Sequence, residues 1–147
     1  MKKQMVLGLS LLTTLAGMSF ASAAPVHSTT FRFECPNASS GKPSERLTNY
    51  GTYISGMGEE NVNGAKKSHP IFRGIPGALV PLDLSTGGYV HAGTLFNEKT
   101  GRVTCLFTST TGSENFNVSY VAENLIGGVI VKTDNSAITL KAFQGAK

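Results

Sequence analysis

Along the chain, apolar and polar residues alternate with a period of two far more often than they recur at helical spacing. Phe31, Phe33 and Cys35 share one side of a predicted strand over Thr29–Cys35, with Arg32 and Glu34 on the other. Pro36 ends it. Tyr89–Phe96 and Arg102–Ser109 read as the arms of a hairpin. Asn97-Glu98-Lys99-Thr100-Gly101 joins them, and Gly101 supplies the left-handed backbone that such a loop needs. Within the second arm Val103, Cys105 and Phe107 point one way and Thr104 and Thr108 the other. Phe116–Ala122 is a further strand, with Phe116, Val118, Tyr120 and Ala122 on one side. A last hairpin follows. Gly128–Lys132 leads into a turn at Thr133–Ser136 and returns through Ala137–Phe143, with Ile138, Leu140 and Ala142 facing inward.

The remaining segments are less regular. Tyr50–Ser55 is a short strand candidate. Ala78–Leu84 is another, and Pro81 confines it to an edge or a bulge. Asn37–Asn49 is polar and reads as a loop, as does Gly56–Ser68, with three glycines and few apolar residues. Ser44–Leu47 and Val121–Leu125 suit single helical turns, and no segment sustains apolar spacing at 3.6 residues. Seven or eight short strands predict an all-β fold, a small antiparallel sandwich or barrel. A membrane-spanning barrel would need longer strands with aromatic girdles. Here Phe143 is followed by polar Gln144 and Lys147.

The first residues follow a different rule. Lys2 and Lys3 precede Met5–Phe20, a stretch with no charge and many leucines, and Ala21-Ser22-Ala23 closes it with small residues. That is the layout of a cleavable export signal over residues 1–23, with cleavage after Ala23 or Ala24. The stretch is too short and too interrupted by Ser10, Thr13, Thr14 and Ser19 for a membrane anchor. Residues 24–147 are then expected to form one β domain, without an anchor, in a periplasmic or extracellular compartment.

Export changes how the two cysteines are read. An oxidising compartment and an even count favour a disulfide. Both thiols lie on the apolar sides of their strands, so a buried Cys35–Cys105 bridge between core strands is expected. Their separation does not suit the CxxC spacing of redox and metal sites.

Charge narrows the partners. The full chain has 13 basic and 9 acidic residues, a net +4. Loss of Lys2 and Lys3 lowers this to +2. The basic residues are scattered, with Lys66-Lys67 the only adjacent pair after the leader, so nucleic acid is not an expected partner.

Chemical motifs are sparse. There is no nucleophile elbow, no H-E-x-x-H, no phosphate loop and no calcium loop, and no cofactor is expected. A small hydrolase would have to use His69 or His91, with Asp83 and a serine such as Ser85. Glu59-Glu60, near Asn61 and Asn63, offers oxygen ligands for a cation at a spacing that matches no calcium loop. If cleavage falls after Ala24, His27 becomes the third residue and a copper ligand together with the terminal amine. Between Pro70 and Leu82 apolar residues crowd among three prolines, which exclude a central strand. Ile71, Phe72, Arg73, Ile75 and Leu79 therefore form either an exposed partner-binding patch or the closure of one end of the core.

The early Phe33-Glu34-Cys35-Pro36 and the late Val103–Phe107 strand resemble small exported proteins of gram-negative bacteria that have no assigned activity. The resemblance implies a secreted β domain and transfers no functional residue. Periplasmic lysozyme inhibitors are also small disulfide-bonded β folds, but their inhibitory loop motif is not found here. The expected function is a secreted or periplasmic, non-enzymatic interaction domain binding a protein or a glycan. A hydrolase using His69 or His91, and copper handling through His27, are the alternatives.

Overall fold

A computed structural model describes residues 27–38, 46–84, 88–111 and 114–144. The segment read as an export signal, the expected cleavage positions, Ser85 and most of the Ser39–Arg46 stretch lie outside the described residues. Those that are described build two antiparallel sheets.

The first sheet has five strands. Its centre is β1 (His27–Glu34), flanked by the hairpin β10 (Val129–Thr133) and β11 (Ala137–Gln144) on one side and the hairpin β4 (Glu59–Val62) and β5 (Ala65–Ser68) on the other, in the order β10-β11-β1-β4-β5. The second sheet has six strands in the order β2-β3-β6-β9-β8-β7. These are β2 (Thr48–Asn49), β3 (Ile54–Met57), β6 (Ile71–Gly74), β7 (Tyr89–Asn97), β8 (Arg102–Ser109) and β9 (Asn115–Val121). The described residues form eleven strands, more than the seven or eight expected, in the sandwich-like all-β architecture that the sequence predicts.

Alternation produces the core. Phe31 and Phe33 from β1, Ile138, Leu140 and Ala142 from β11, Val103, Cys105 and Phe107 from β8, and Phe116 and Val118 from β9 are all buried in one cluster. Phe107 stacks on Phe116, and Tyr89 meets Phe116 edge-on. Each such side chain removed from water contributes roughly 1.5–3 kcal/mol. The Cys35–Cys105 disulfide joins the end of β1 to β8, both half-cystines buried, and so ties the two sheets.

Two further links cross between the sheets beside the disulfide. His91 on β7 has Nε2 3.0 Å from the Pro36 carbonyl, with its ring packed on Phe107. The buried Thr94 hydroxyl lies 2.9 Å from the Asp134 carbonyl and 3.0 Å from that of Ala137.

Three expectations are corrected. Gly56–Ser68 is not a long loop: it holds the end of β3 and the β4–β5 hairpin, which turns at Asn63-Gly64, both with positive φ (50° and 84°). Every β5 residue is exposed, so burial never imposes the alternation by which a strand is recognised. Ile71–Gly74 is an interior strand, paired to β3 and to β9, because Pro70 and Pro76 lie outside its four residues and remove no donor from it. Ala78–Leu84 is not a strand. It is a turn-rich segment that sends only Val80 and Leu84 into the core. The expected helical turn near Leu125 is a 3-10 turn over Glu123–Leu125.

Candidate functional site

On β6 and directly after it, exposed apolar side chains flank one arginine. Period-two alternation along β6 buries Phe72 completely and turns Ile71 and Arg73 outward, with Ile75 following on the same side. The pairing Ser55↔Arg73 and Ile54↔Gly74 sets Tyr53 beside Ile75. Tyr50 and Tyr53 stack with ring centroids 4.8 Å apart, and their backbones close a tight turn through a 2.8 Å bond from the Tyr50 amide to the Tyr53 carbonyl. The Arg73 guanidinium lies 5.4 Å from the Tyr53 ring centroid, a cation–π contact that restrains a long cationic side chain.

Asn49 holds the neighbouring segment against this surface. Its Nδ2 donates to the Val80 and Pro81 carbonyls at 3.3 and 3.0 Å, while its Oδ1 accepts from the Gly51 amide at 2.9 Å. Leu82 consequently lies over Gly51, and Leu79, in the same segment, is exposed. Ile75, Leu79 and Leu82 are 83%, 73% and 69% exposed, the most exposed large apolar residues described. A 240 Å³ cleft lined by Arg46, Thr48, Leu82 and Leu84 borders the same region.

Of the five residues expected to form a patch, Ile71, Arg73, Ile75 and Leu79 are therefore at the surface, while Phe72 belongs to the core. Sequence reading missed Tyr50, Tyr53 and Leu82. The available signal was an aromatic pair spaced three apart across Gly51, which has a positive φ of 93°.

The other candidates are arranged differently. His69 is exposed, with Nδ1 3.1 Å from the Gly58 carbonyl, at a 60 Å³ hollow that Glu34 and Glu59 also line. His91 is half-buried and bonded to Pro36 as described. Both histidines thus engage backbone carbonyls. Asp83 is exposed, and Ser85, the serine proposed to accompany it, lies outside the described residues.

Glu59 and Glu60 are not on a loop. As adjacent strand residues they project to opposite faces of β4. Glu59 pairs with Lys66 at 3.2 Å and accepts from Asn61. Partial burial works to raise its pKa, but the bonds from Lys66 and Asn61 outweigh that and hold the carboxyl below its ordinary value. Glu60 is buried and accepts a 2.7 Å bond from the Ser68 hydroxyl. The two carboxylates cannot share one ion in this arrangement. Among the described residues no group of three His, Cys, Asp or Glu side chains converges on a common point that would hold a metal. His27 is exposed at the start of β1, and Pro25 and Val26 lie outside the described residues.

Among the described residues no helix is long and apolar enough to cross a membrane. In comparisons with known proteins, no family model, no curated protein and no solved structure matches the chain.

Proposed function

We propose that this is an exported, non-enzymatic interaction domain that binds a protein partner through the surface built by Tyr50, Tyr53, Arg73, Ile75, Leu79 and Leu82. The observation that carries this reading is the exposure of three aliphatic residues beside a stacked tyrosine pair and a restrained arginine. Tyrosine and arginine are the residues that most often anchor protein interfaces, and contiguous exposed apolar surface on a small domain marks a contact site. The preponderance of aliphatic groups favours a protein over a glycan, whose hydroxyls would need more polar partners than this surface offers. Arg73, amid apolar neighbours, suits a partner that presents a carboxylate.

Export is part of the proposal. It rests on the Lys2-Lys3, apolar and Ala21-Ser22-Ala23 layout and is supported by the disulfide, which persists in oxidising compartments. The resemblance of the two cysteine motifs to small exported gram-negative proteins agrees with it.

The test is comparative capture from envelope and culture-medium fractions. The wild-type domain, Arg73→Glu, Leu79→Ser and a distant control, Lys66→Ala, serve as baits. A partner retained by wild type and control and lost by both patch variants supports the reading. A partner retained equally by all four removes the patch from the function.

A further inference from the structure

The six strands of the second sheet contain no aspartate, no glutamate and no lysine, but they do contain two arginines, Arg73 on β6 and Arg102 on β8. Both are exposed and both face away from the core, because each alternates with a buried neighbour, Phe72 or Val103. Neither pairs with a carboxylate among the described residues. The first sheet differs: its outward Glu34 and Glu59 are already matched, by Arg32 and Lys66.

Ser119 links the two arginines. On β9 it is opposite Arg73 of β6 on one side and opposite Thr104 of β8 on the other. Arg102 Nη1 donates to the Ser119 Oγ at 2.6 Å, which draws the guanidinium across to β9 and leaves the hydroxyl hydrogen free to donate elsewhere. The Arg73 guanidinium leans the other way, over the Tyr53 ring beside β3. β3 and β9 flank β6, so the two guanidinium groups stand roughly two strand spacings, or about 10 Å, apart.

We infer that the partner of the tyrosine–arginine patch is an acidic protein whose surface continues over β9 and β8, setting one carboxylate on Arg73 and a second on Arg102 and Ser119. The inference rests on the patch reading and extends its footprint across the sheet. Charge argues for this occupant. Two restrained cations share a face whose strands supply no anion, and a carboxylate meets a guanidinium through two parallel bonds. The strip between them carries Thr104, Asn117 and Ser119, short uncharged side chains that let a flat surface reach both arginines at once. Two cations are too few for the basic stripe that a nucleic acid needs. The exposed Ile75 and Leu79 beside Arg73 give a protein, unlike an acidic polysaccharide, apolar surface to cover.

The experiment is an NMR titration of the isotope-labelled, oxidised domain at low salt, with poly-L-glutamate as the probe and polygalacturonate as an acidic polysaccharide for comparison. Melting curves of every variant confirm folding. Poly-L-glutamate is expected to shift the amides around Arg73, Thr104 and Ser119, and the shifts are expected to fade towards about 0.5 M salt as the charges are screened. Arg73→Glu and Arg102→Glu are each expected to weaken binding by about fivefold or more. Lys132→Glu and Lys141→Glu make the same charge change at exposed positions on the first sheet and are expected to weaken it by less than about twofold. Equal losses in all four variants, or no binding by wild type, overturn the inference. Tighter binding of polygalacturonate through the same two arginines overturns it in favour of an acidic glycan. A loss confined to Arg73→Glu overturns the extension to Arg102 and leaves the patch reading in place. The patch reading is judged separately, by capture with Leu79→Ser, which changes no charge.

Discussion

Cys35, at the end of the central strand of the first sheet, is bonded to Cys105 on the second sheet across 70 residues of chain, with the two Cα atoms 5.9 Å apart. Both half-cystines belong to the buried core of aromatic and aliphatic residues, so the bridge fixes sheet spacing within that core. Its effect falls chiefly on the unfolded chain, whose largest loop it closes. Replacing both cysteines by alanine is expected to lower unfolding stability by about 4 kcal/mol. Denaturant unfolding of wild type and the double variant measures it. A difference below about 1 kcal/mol would show that packing alone holds the sheets together.

Two glycines should separate backbone conformation from steric room. Gly64 has a φ of 84° and open space around it, so Gly64→Ala is expected to cost only the left-handed backbone penalty, about 1 kcal/mol. Gly58 is the opposite case. A methyl group there would run into the Glu34 carbonyl and lie 2.6 Å from the Phe72 ring. Gly58→Ala is expected to cost about 3 kcal/mol, the upper range for overpacking a core. Melting temperatures of the two variants should rank accordingly.

Alkaline stability should report the Tyr89–Glu114 bond. Burial first, and then the 2.8 Å bond donated to the Glu114 carboxylate, push the Tyr89 hydroxyl up to about 12. An unfolded tyrosine ionises near pH 10, roughly. The folded state therefore holds the proton more tightly. The contribution is complete below the unfolded value and is lost as pH rises through the folded one. Stability measured from pH 9 to 12 is expected to fall more steeply in wild type than in Tyr89→Phe. Parallel curves would place the hydroxyl in water.

The patch should be dispensable for folding. Ile75, Leu79 and Leu82 are so exposed that Ile75→Ser, Leu79→Ser and Leu82→Ser are each expected to change stability by less than about 0.5 kcal/mol, as surface substitutions do. Phe72→Ala, one residue from Arg73 but wholly buried, is expected to cost about 3–5 kcal/mol. Denaturant midpoints of the four variants test this division between surface and core.

How far these features can be read from the chain depends on burial. β1, β7, β8, β9 and β11 were legible because a buried face forces apolar residues to every second position; β10 is exposed throughout and was legible only from its run of β-branched residues ahead of the turn at Thr133–Ser136. The disulfide followed from the same alternation, since Cys35 and Cys105 fall in phase with Phe33 and Phe107. β5 was invisible because no face of it is buried, although Asn63-Gly64 marked its turn. β6 was hidden by the prolines at its ends, whose constraint stops one residue short of the strand. The patch was legible only in part. Alternation places Arg73 and Ile75 on one side of β6, but only folding brings Tyr50, Tyr53 and Leu82 to them.

The central claim is that a partner protein sits on the Tyr53–Arg73 surface. Its most direct test is site-specific photo-crosslinking in intact cells, with a photoreactive amino acid replacing Leu79 or Leu82 and, as control, Lys66. The expected result is one discrete adduct from positions 79 and 82, absent from position 66 and abolished by adding Arg73→Glu. No adduct from the patch, or the same adduct from all three positions regardless of Arg73, would contradict it.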